Sequence, residues 1–450
     1  MENKRRIFPK HPFSTHGGAP VPHRKNTAEI PSVVMEPPKQ VVLPMQQHVG
    51  APCTPVVKKG DVVSVGQLIG DSDKFISAPI HASISGTVSQ LSTIMLPNGQ
   101  VVDAVVIDSD GEMRLSPDIK PPVVENKEQL FAAIRASGLV GLGGAGFPAA
   151  VKLNVPEGKK IDTILINGAE CEPYITADYR GAMEDTDLVM AGVYTLLELL
   201  EVNRVIIAIE SNKPEAIRVL TEIAENKRDQ KDQVKVLELK SRYPQGAEKV
   251  LVQACTGRKI PKGKLPADVG CLVVNITSVA FLANYLKTGM PLVTKRLTVD
   301  GSAVAEPKNV IVPIGTSIHD LIAFCGGYRE TPAKILMGGP MMGMAVVDDS
   351  LPVLKQNNAI LAFTEHDAAL PAPTACIRCG RCVRACPMNL MPTLLESLVK
   401  RKDAAELDRM GVMTCMECGS CAYVCPANRL LVQSMRLGKG IVKNAAAQQR

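Results

Sequence analysis

The sequence predicts a multidomain protein of mixed α/β class, and three observations predict it. Residues 40–110 carry short apolar β runs separated by turn residues. Residues 127–287 alternate apolar strand-like runs with helical patterns, the rhythm of a mostly parallel sheet covered on both faces. The chain then closes on two cysteine runs of identical spacing, Cys376-x2-Cys379-x2-Cys382-x3-Cys386-Pro and Cys415-x2-Cys418-x2-Cys421-x3-Cys425-Pro. A length of 450 residues leaves room for several domains with sizeable cores.

Composition narrows the class. A hydrophobic share of 46% and a charged share of 21% are those of an ordinary soluble chain. Of 13 cysteines, those outside the two runs (Cys53, Cys171, Cys255, Cys271 and Cys325) are scattered, a usage that fits a reducing cytoplasm better than a disulfide framework. They read as buried thiols rather than reactive ones. No stretch reaches the roughly 18 apolar residues that span a bilayer, and the first residues lack the apolar core of a signal peptide, so a soluble or peripheral protein is expected. Aromatics are 3% with no interleaved basic platform, which argues against nucleic acid as a partner.

In chain order, residues 1–38 are rich in Pro, His and basic residues (Lys4, Arg5, Arg6, Lys10, His16, Lys25) and read as an extended arm. A solvated tail is the expectation, with an anionic lipid surface or an acidic partner as the alternative. Residues 39–112 contain "VVKKGDVVSVGQLIG" and "APIHASISGTV". This text resembles biotinyl- or lipoyl-type barrel-sandwich domains, in which a hairpin-tip lysine carries a swinging cofactor. Lys74 lies near that place, but its spacing to Pro79 is one residue short, so a structural sandwich is expected.

The α/β region is expected over 126–290, with strands at 162–166, 204–209 and 234–239 and helices at 127–136, 185–201, 213–225, 245–254 and 278–287. Its loop Gly141-Leu-Gly143-Gly144-Ala-Gly146-Phe147-Pro, followed by Lys152, lets backbone approach a phosphate or a planar ring. Alone it is neither a Walker loop nor a GxGxxG following a strand, and a plain glycine-rich turn reads equally well. Asn167, Glu170 and Glu172 leave the end of the 162–166 strand, where α/β sheets face their ligand crevice. A loop of turn-forming residues is the alternative there. Asp178 and Arg180 are expected to form a local ion pair.

The cysteine runs carry the most specific chemistry. Three thiolates at three-residue steps on a tight loop grip three irons of one cubane, and two such runs imply two [4Fe-4S] clusters. Structural zinc would want two CxxC pairs, or Cys and His together, around one ion, and no His lies inside either run. Met388 to Thr414, between the runs, has a helical pattern in Leu390, Leu394, Leu395 and Leu398. By resemblance to two-cluster ferredoxins, Cys376, Cys379, Cys382 and Cys425 would hold one cluster, and Cys415, Cys418, Cys421 and Cys386 the other. Residues 366–435 would form a helical ferredoxin domain, with 436–450 as a tail.

"GLGGAGFPAAVK" followed by "INGAECEP" resembles the flavin domain of the NADH-oxidising subunit of respiratory NADH:quinone oxidoreductase. With "RYPQGAEKVL", "VVNITSV", the amino-terminal "GGAPVPHRKNT" and the twin cysteine runs, the order of segments is similar to the C-subunit family of Rnf electron-transport complexes. The resemblance implies a Rossmann-like α/β flavin domain, and a β-grasp module of soluble-ligand-binding type over 293–350. That module reads as a spacer, and its "MGGPMMGM" (Met337 to Met344) as packing. It implies noncovalent FMN on Gly141, Gly143, Gly144, Gly146, Lys152, Asn167, Glu170 and Asn275, and NAD(H) near Phe147, Glu172, Tyr243, Gly246 and Glu248. Ala247 stands where the respiratory family has the first of two acids, which leaves Glu248 alone. The implied partners are other subunits of a membrane complex, a ferredoxin-like one included, with the chain peripheral on the cytoplasmic face. Cobalamin reductase of bacterial microcompartments, which lacks the amino-terminal sandwich, and a cluster-only relay protein are the rival readings.

Overall fold

The computed structural model describes residues 8–155, 158–227, 230 and 232–448. Lys4, Arg5 and Arg6 of the expected basic arm lie outside them.

The first β region forms two sheets. Gln40–Pro44, Val101–Ser109, Gly86–Met95 and Val62–Val63 make a four-stranded sheet in that spatial order, and Thr54–Pro55, Leu68–Asp71 and Ile80–His81 a three-stranded one. Apolar residues at alternate positions, among them Val41, Leu43, Ile69, Ile80, Val105 and Ile107, are buried between them. Lys74 sits on the exposed turn after Leu68–Asp71, its ammonium 3.6 Å from the carboxylate of Asp73.

The α/β region has a four-stranded, all-parallel sheet in the order Val234–Leu239, Arg204–Glu210, Thr163–Gly168, Cys271–Asn275. The strands are near-continuous apolar runs because helices cover both faces. The chain reverses direction across the sheet beside Thr163–Gly168, so the loops leaving Gly168 and Asn275 open into one crevice. The helix expected over 185–201 is Thr186–Leu199, and a further helix that was not expected, Ala177–Glu184, stands end to end before it.

Two expected boundaries shift. The third region is a six-stranded mixed sheet whose order is Val33–Val34, Lys308–Pro313, Thr294–Asp300, Ala359–Phe363, Lys334–Met337, Met344–Val346. Its interior strand Ala359–Phe363 lies beyond residue 350, and its edge strand comes from the arm. Residues 436–448 of the supposed tail continue a helix, Leu431–Gln448, that packs on Pro392–Arg401 and Ala404–Arg409. Gly438 lets that helix approach Val399 and Val412 closely: a Cβ there would lie 3.0 and 3.1 Å from their methyls.

The arm is not a solvated tail. Thr27 is fully buried, its hydroxyl 2.5 Å from that of Thr176, and Asn309 donates to its carbonyl at 3.0 Å. Asn26 donates to Asp300 at 3.1 Å. Polar groups removed from water in this way need partners, and the arm finds them on two domains. Among the described residues no helix is long and apolar enough to cross a membrane.

Candidate functional site

The glycine loop passes over the carboxyl-terminal edge of the parallel sheet. Asn275, the last residue of its strand, caps the following helix by accepting from the backbone of Thr277 and Ser278 at 3.0 and 3.2 Å. Its amide donates to Asp178 at 2.7 Å, and Thr277 donates to the other oxygen of that carboxylate at 2.7 Å. Gly143 lies against the same amide, where a Cβ would come within 2.3 Å of Asn275 Nδ2. Only glycine allows that approach. Asp178 therefore belongs to this network and not to an ion pair with Arg180, which instead pairs with Glu184 at 2.7 Å. Sequence reading missed Asp178 because its partners stand about a hundred residues away.

Two buried cations hold the loops that bear these groups. Lys295 donates to the carbonyl of Leu142 at 2.9 Å, and burial lowers its ammonium to about 8. Lys213 donates to the carbonyl of Ala169 at 2.6 Å. A Cβ on Gly144 would meet nothing within 4 Å, so the loop is open on that side. Gly146 has φ +65°, in the left-handed region. Lys152 is ion-paired with Glu248, and both remain partly exposed.

Glu170 occupies the left-handed region at φ +48°. Its Oε1 accepts from the backbone of Asp178 at 2.6 Å, and its Oε2 is out of contact with solvent and has no hydrogen-bond partner among the described residues. Burial pushes its carboxyl up to about 7, against the pull of Lys25 and Lys213. An unpartnered buried acceptor beside an open glycine loop fits a ligand that supplies N–H or O–H donors. Asn167 donates to the carbonyl of Gly246 at 2.9 Å, and Gly246 N–H meets Cys171 Sγ at 3.4 Å. Glu172 faces Tyr243, whose hydroxyl lies 3.5 Å from Oε1, and burial raises this carboxyl to about 7 as well. Among the expected flavin and nucleotide residues, Gly143 thus meets Asn275, Asn167 meets Gly246, Lys152 meets Glu248 and Glu172 meets Tyr243, while Phe147 closes the glycine loop by accepting from Gly141 N–H at 2.9 Å.

The two cysteine runs fold alike. Arg378 and Glu417, each just before the second cysteine, are left-handed at φ +57° and +59°, and each donates its backbone N–H to the first sulfur at 3.4 Å. Cys386, Cys415, Cys418 and Cys421 line one cavity with Pro387 and Leu390. In the other direction, burial together with the nearness of Cys425 raises the thiol of Cys382. Cys376 and Cys379 are exposed. None of the thirteen cysteines is joined in a disulfide. Among the described residues no three His, Cys, Asp or Glu side chains converge as a single metal ion would require. Thiolates that grip separate irons of a cluster need not converge on one point.

Models of known families match four consecutive segments. They are the RnfC barrel sandwich hybrid domain over 13–112, the Nuo51 FMN-binding domain over 134–284, the SLBB domain over 296–345 and the 4Fe-4S dicluster domain over 375–429. The C subunit of the proton-translocating ferredoxin:NAD(+) oxidoreductase complex of Clostridium ljungdahlii is 43% identical over 87% of this chain and 85% of its own. Its counterpart in the Na(+)-translocating complex of Acetobacterium woodii is 41% identical over 94% and 96%. That of the ion-translocating oxidoreductase complex of Rhodobacter capsulatus is 40% identical over 96% and 84%. Among solved structures, NAD+-reducing [NiFe]-hydrogenase in the H2-reduced state shares the fold with a TM-score of 0.50 at 17% identity, over 70% of this chain and 63% of that one. With an FMN-binding domain and a 4Fe-4S dicluster domain in this order, the chain belongs to the C-subunit family of ion-translocating ferredoxin:NAD+ oxidoreductase (Rnf) complexes.

Proposed function

We propose that this chain is the peripheral electron-transfer subunit of an Rnf-type membrane complex, working at its cytoplasmic face between NAD(H), FMN and two [4Fe-4S] clusters. The observation that carries the reading is the chain of contacts Gly143–Asn275–Asp178–Glu170 at the sheet edge, ending in the unpartnered Oε2 of Glu170, in the same polypeptide as two four-thiol sets. Bound flavin would supply exchange between the two-electron chemistry of a nicotinamide and the one-electron chemistry of the clusters. The residues of this chain bind and orient. Gly141, Gly143, Gly144 and Gly146 admit the ring system to the backbone, Asn167, Glu170 and Asn275 present amide and carboxylate to it, and Lys152 lends positive charge.

In this reading Phe147, Glu172, Tyr243, Gly246 and Glu248 border the nicotinamide nucleotide. The crossed thiol assignment, Cys386 with Cys415, Cys418 and Cys421 and Cys425 with Cys376, Cys379 and Cys382, is supported by the shared cavity and by the proximity of Cys382 to Cys425. The Rossmann-like and β-grasp descriptions of the second and third regions belong to the same proposal. With no membrane-spanning helix among the described residues, ion movement falls to partner subunits, a ferredoxin-like one among them.

The test is an optical spectrum of the anaerobically purified chain before and after NADH. Bleaching of the flavin band and then of the iron–sulfur absorbance is expected. Cluster absorbance without flavin, and without response to NADH, would leave a cluster-only relay.

A further inference from the structure

The flavin crevice meets the ferredoxin domain through a loop of the third domain. Glu172 Oε2 accepts the backbone N–H of Met341 at 3.0 Å. The loop is tight: a Cβ on Gly339 would lie 2.3 Å from Glu172 Oε2, and one on Gly343 would lie 2.4 Å from the carbonyl oxygen of Gly339. On its other side a Cβ on Gly419, between Cys418 and Cys421, would lie 3.1 Å from the carbonyl oxygen of Met341. Met341 joins Tyr243, Cys171 and Cys418 in one apolar cluster.

The arm closes the opposite side. Gly18 N–H donates to the carbonyl of Ala385 at 2.8 Å, and Ala19 N–H to that of Tyr243 at 2.8 Å. Gly17 sits so close to the Cys386–Pro387 bond that a Cβ would lie 2.6 Å from the Cys386 carbonyl carbon. Two strands of chain from different domains thus bind the thiol set of Cys386 and Cys418 to the residues that face the crevice. The other run presents Cys376, Cys379 and Ile377, the last 68% exposed, to solvent.

We propose that the Glu172–Met341 junction and the Gly17–Ala19 strap fix Cys386, Cys415, Cys418 and Cys421 as the inner set, first to exchange electrons with the flavin pocket, and leave Cys376, Cys379, Cys382 and Cys425 as the outward set. Met341 and Gly17 are positioning residues, and the Met-rich loop of the third domain is the joint that sets the spacing. This rests on the flavin and cluster reading given above. It assigns that reading an order.

The test uses the full chain, purified anaerobically, with the flavin reduced by a light flash and a sacrificial donor so that NADH is not needed. The Cys379→Ser variant should keep the fast phase of cluster reduction, and Cys421→Ser should lose it. Because electron transfer slows as the gap between donor and acceptor widens, Met341→Ala, which empties the apolar cluster between Tyr243 and Cys418, should slow the phase severalfold with flavin and iron contents unchanged. Hydrogen exchange supplies a readout apart from turnover. The amides of Gly18, Ala19 and Met341 should be protected in the parent chain, and those of Gly18 and Ala19 should open in Gly17→Val. Outward-set reduction at the parent rate in Cys421→Ser, or an unslowed phase in Met341→Ala, would overturn the proposal. A flavin that the flash reduces but NADH does not would sink the nucleotide reading and leave this order standing.

Discussion

Lys25 donates from the amino-terminal arm to the main-chain carbonyl of Glu170 at 2.8 Å, across 145 positions of sequence. The same ammonium reaches the carbonyls of Glu172 at 2.9 Å and Ile175 at 2.5 Å, so one side chain fixes the whole loop that leaves the central strand. Burial lowers its affinity for the proton, while Glu170 and Glu210 act to retain it. Lys25→Met keeps the stem and deletes the donors. Unpaired acceptors of this kind cost about 1–3 kcal/mol, so a lower melting midpoint and faster loss of flavin are expected in thermal melts and dialysis. An unchanged midpoint would show that the arm only rests on the loop.

Gly143 and Gly144 separate structural from ligand effects. A methyl on Gly143 collides with the amide of Asn275, whereas one on Gly144 meets nothing within 4 Å. Gly143→Ala should lower the melting midpoint even in flavin-depleted protein. Gly144→Ala should leave that midpoint alone and weaken flavin binding by titration, because the open side of the loop is where the ring is proposed to lie. Equal effects of the two changes on flavin-free protein would contradict this division.

The Lys152–Glu248 pair is partly exposed, and pairs of this kind contribute about 0–1 kcal/mol. Lys152→Ala is therefore expected to cost little stability and leave the iron content unchanged while loosening flavin retention. Parallel loss of iron and flavin in quantitative assays would mean misfolding instead.

Glu172 gives the stability of the crevice a pH dependence of definite sign. Its folded value, about 7, lies above the ordinary 4.5 because of burial, with the backbone N–H groups of Met341 and Met342 working the other way. A raised folded value means that the native state holds the proton more tightly, so this contribution is present at low pH and lost as pH rises from about 4.5 through about 7. Melting midpoints of Glu172→Gln should consequently fall less than those of the parent chain between about pH 5.5 and about pH 8. A parent-like slope in the variant would assign the titration to another group.

The cysteine runs were legible because their spacing is local: within each run successive cysteines lie three or four positions apart, and the first two sit on one tight turn, as the matching geometry of Arg378 and Glu417 shows. The strands Thr163–Gly168 and Arg204–Glu210 were legible too, since residues buried on both faces leave continuous apolar runs. The sequence by itself therefore determined the mixed α/β class and the order of the domains. Only the tertiary structure decided which residues meet. Asp178 finds Asn275 rather than Arg180, the arm supplies Lys25 and Gly17 to loops far along the chain, and the strand Ala359–Phe363 returns to the interior of the third sheet. An apolar or charged pattern records that a side chain must be buried or paired, and the partner is chosen by packing across sequence distances that local periodicity does not encode.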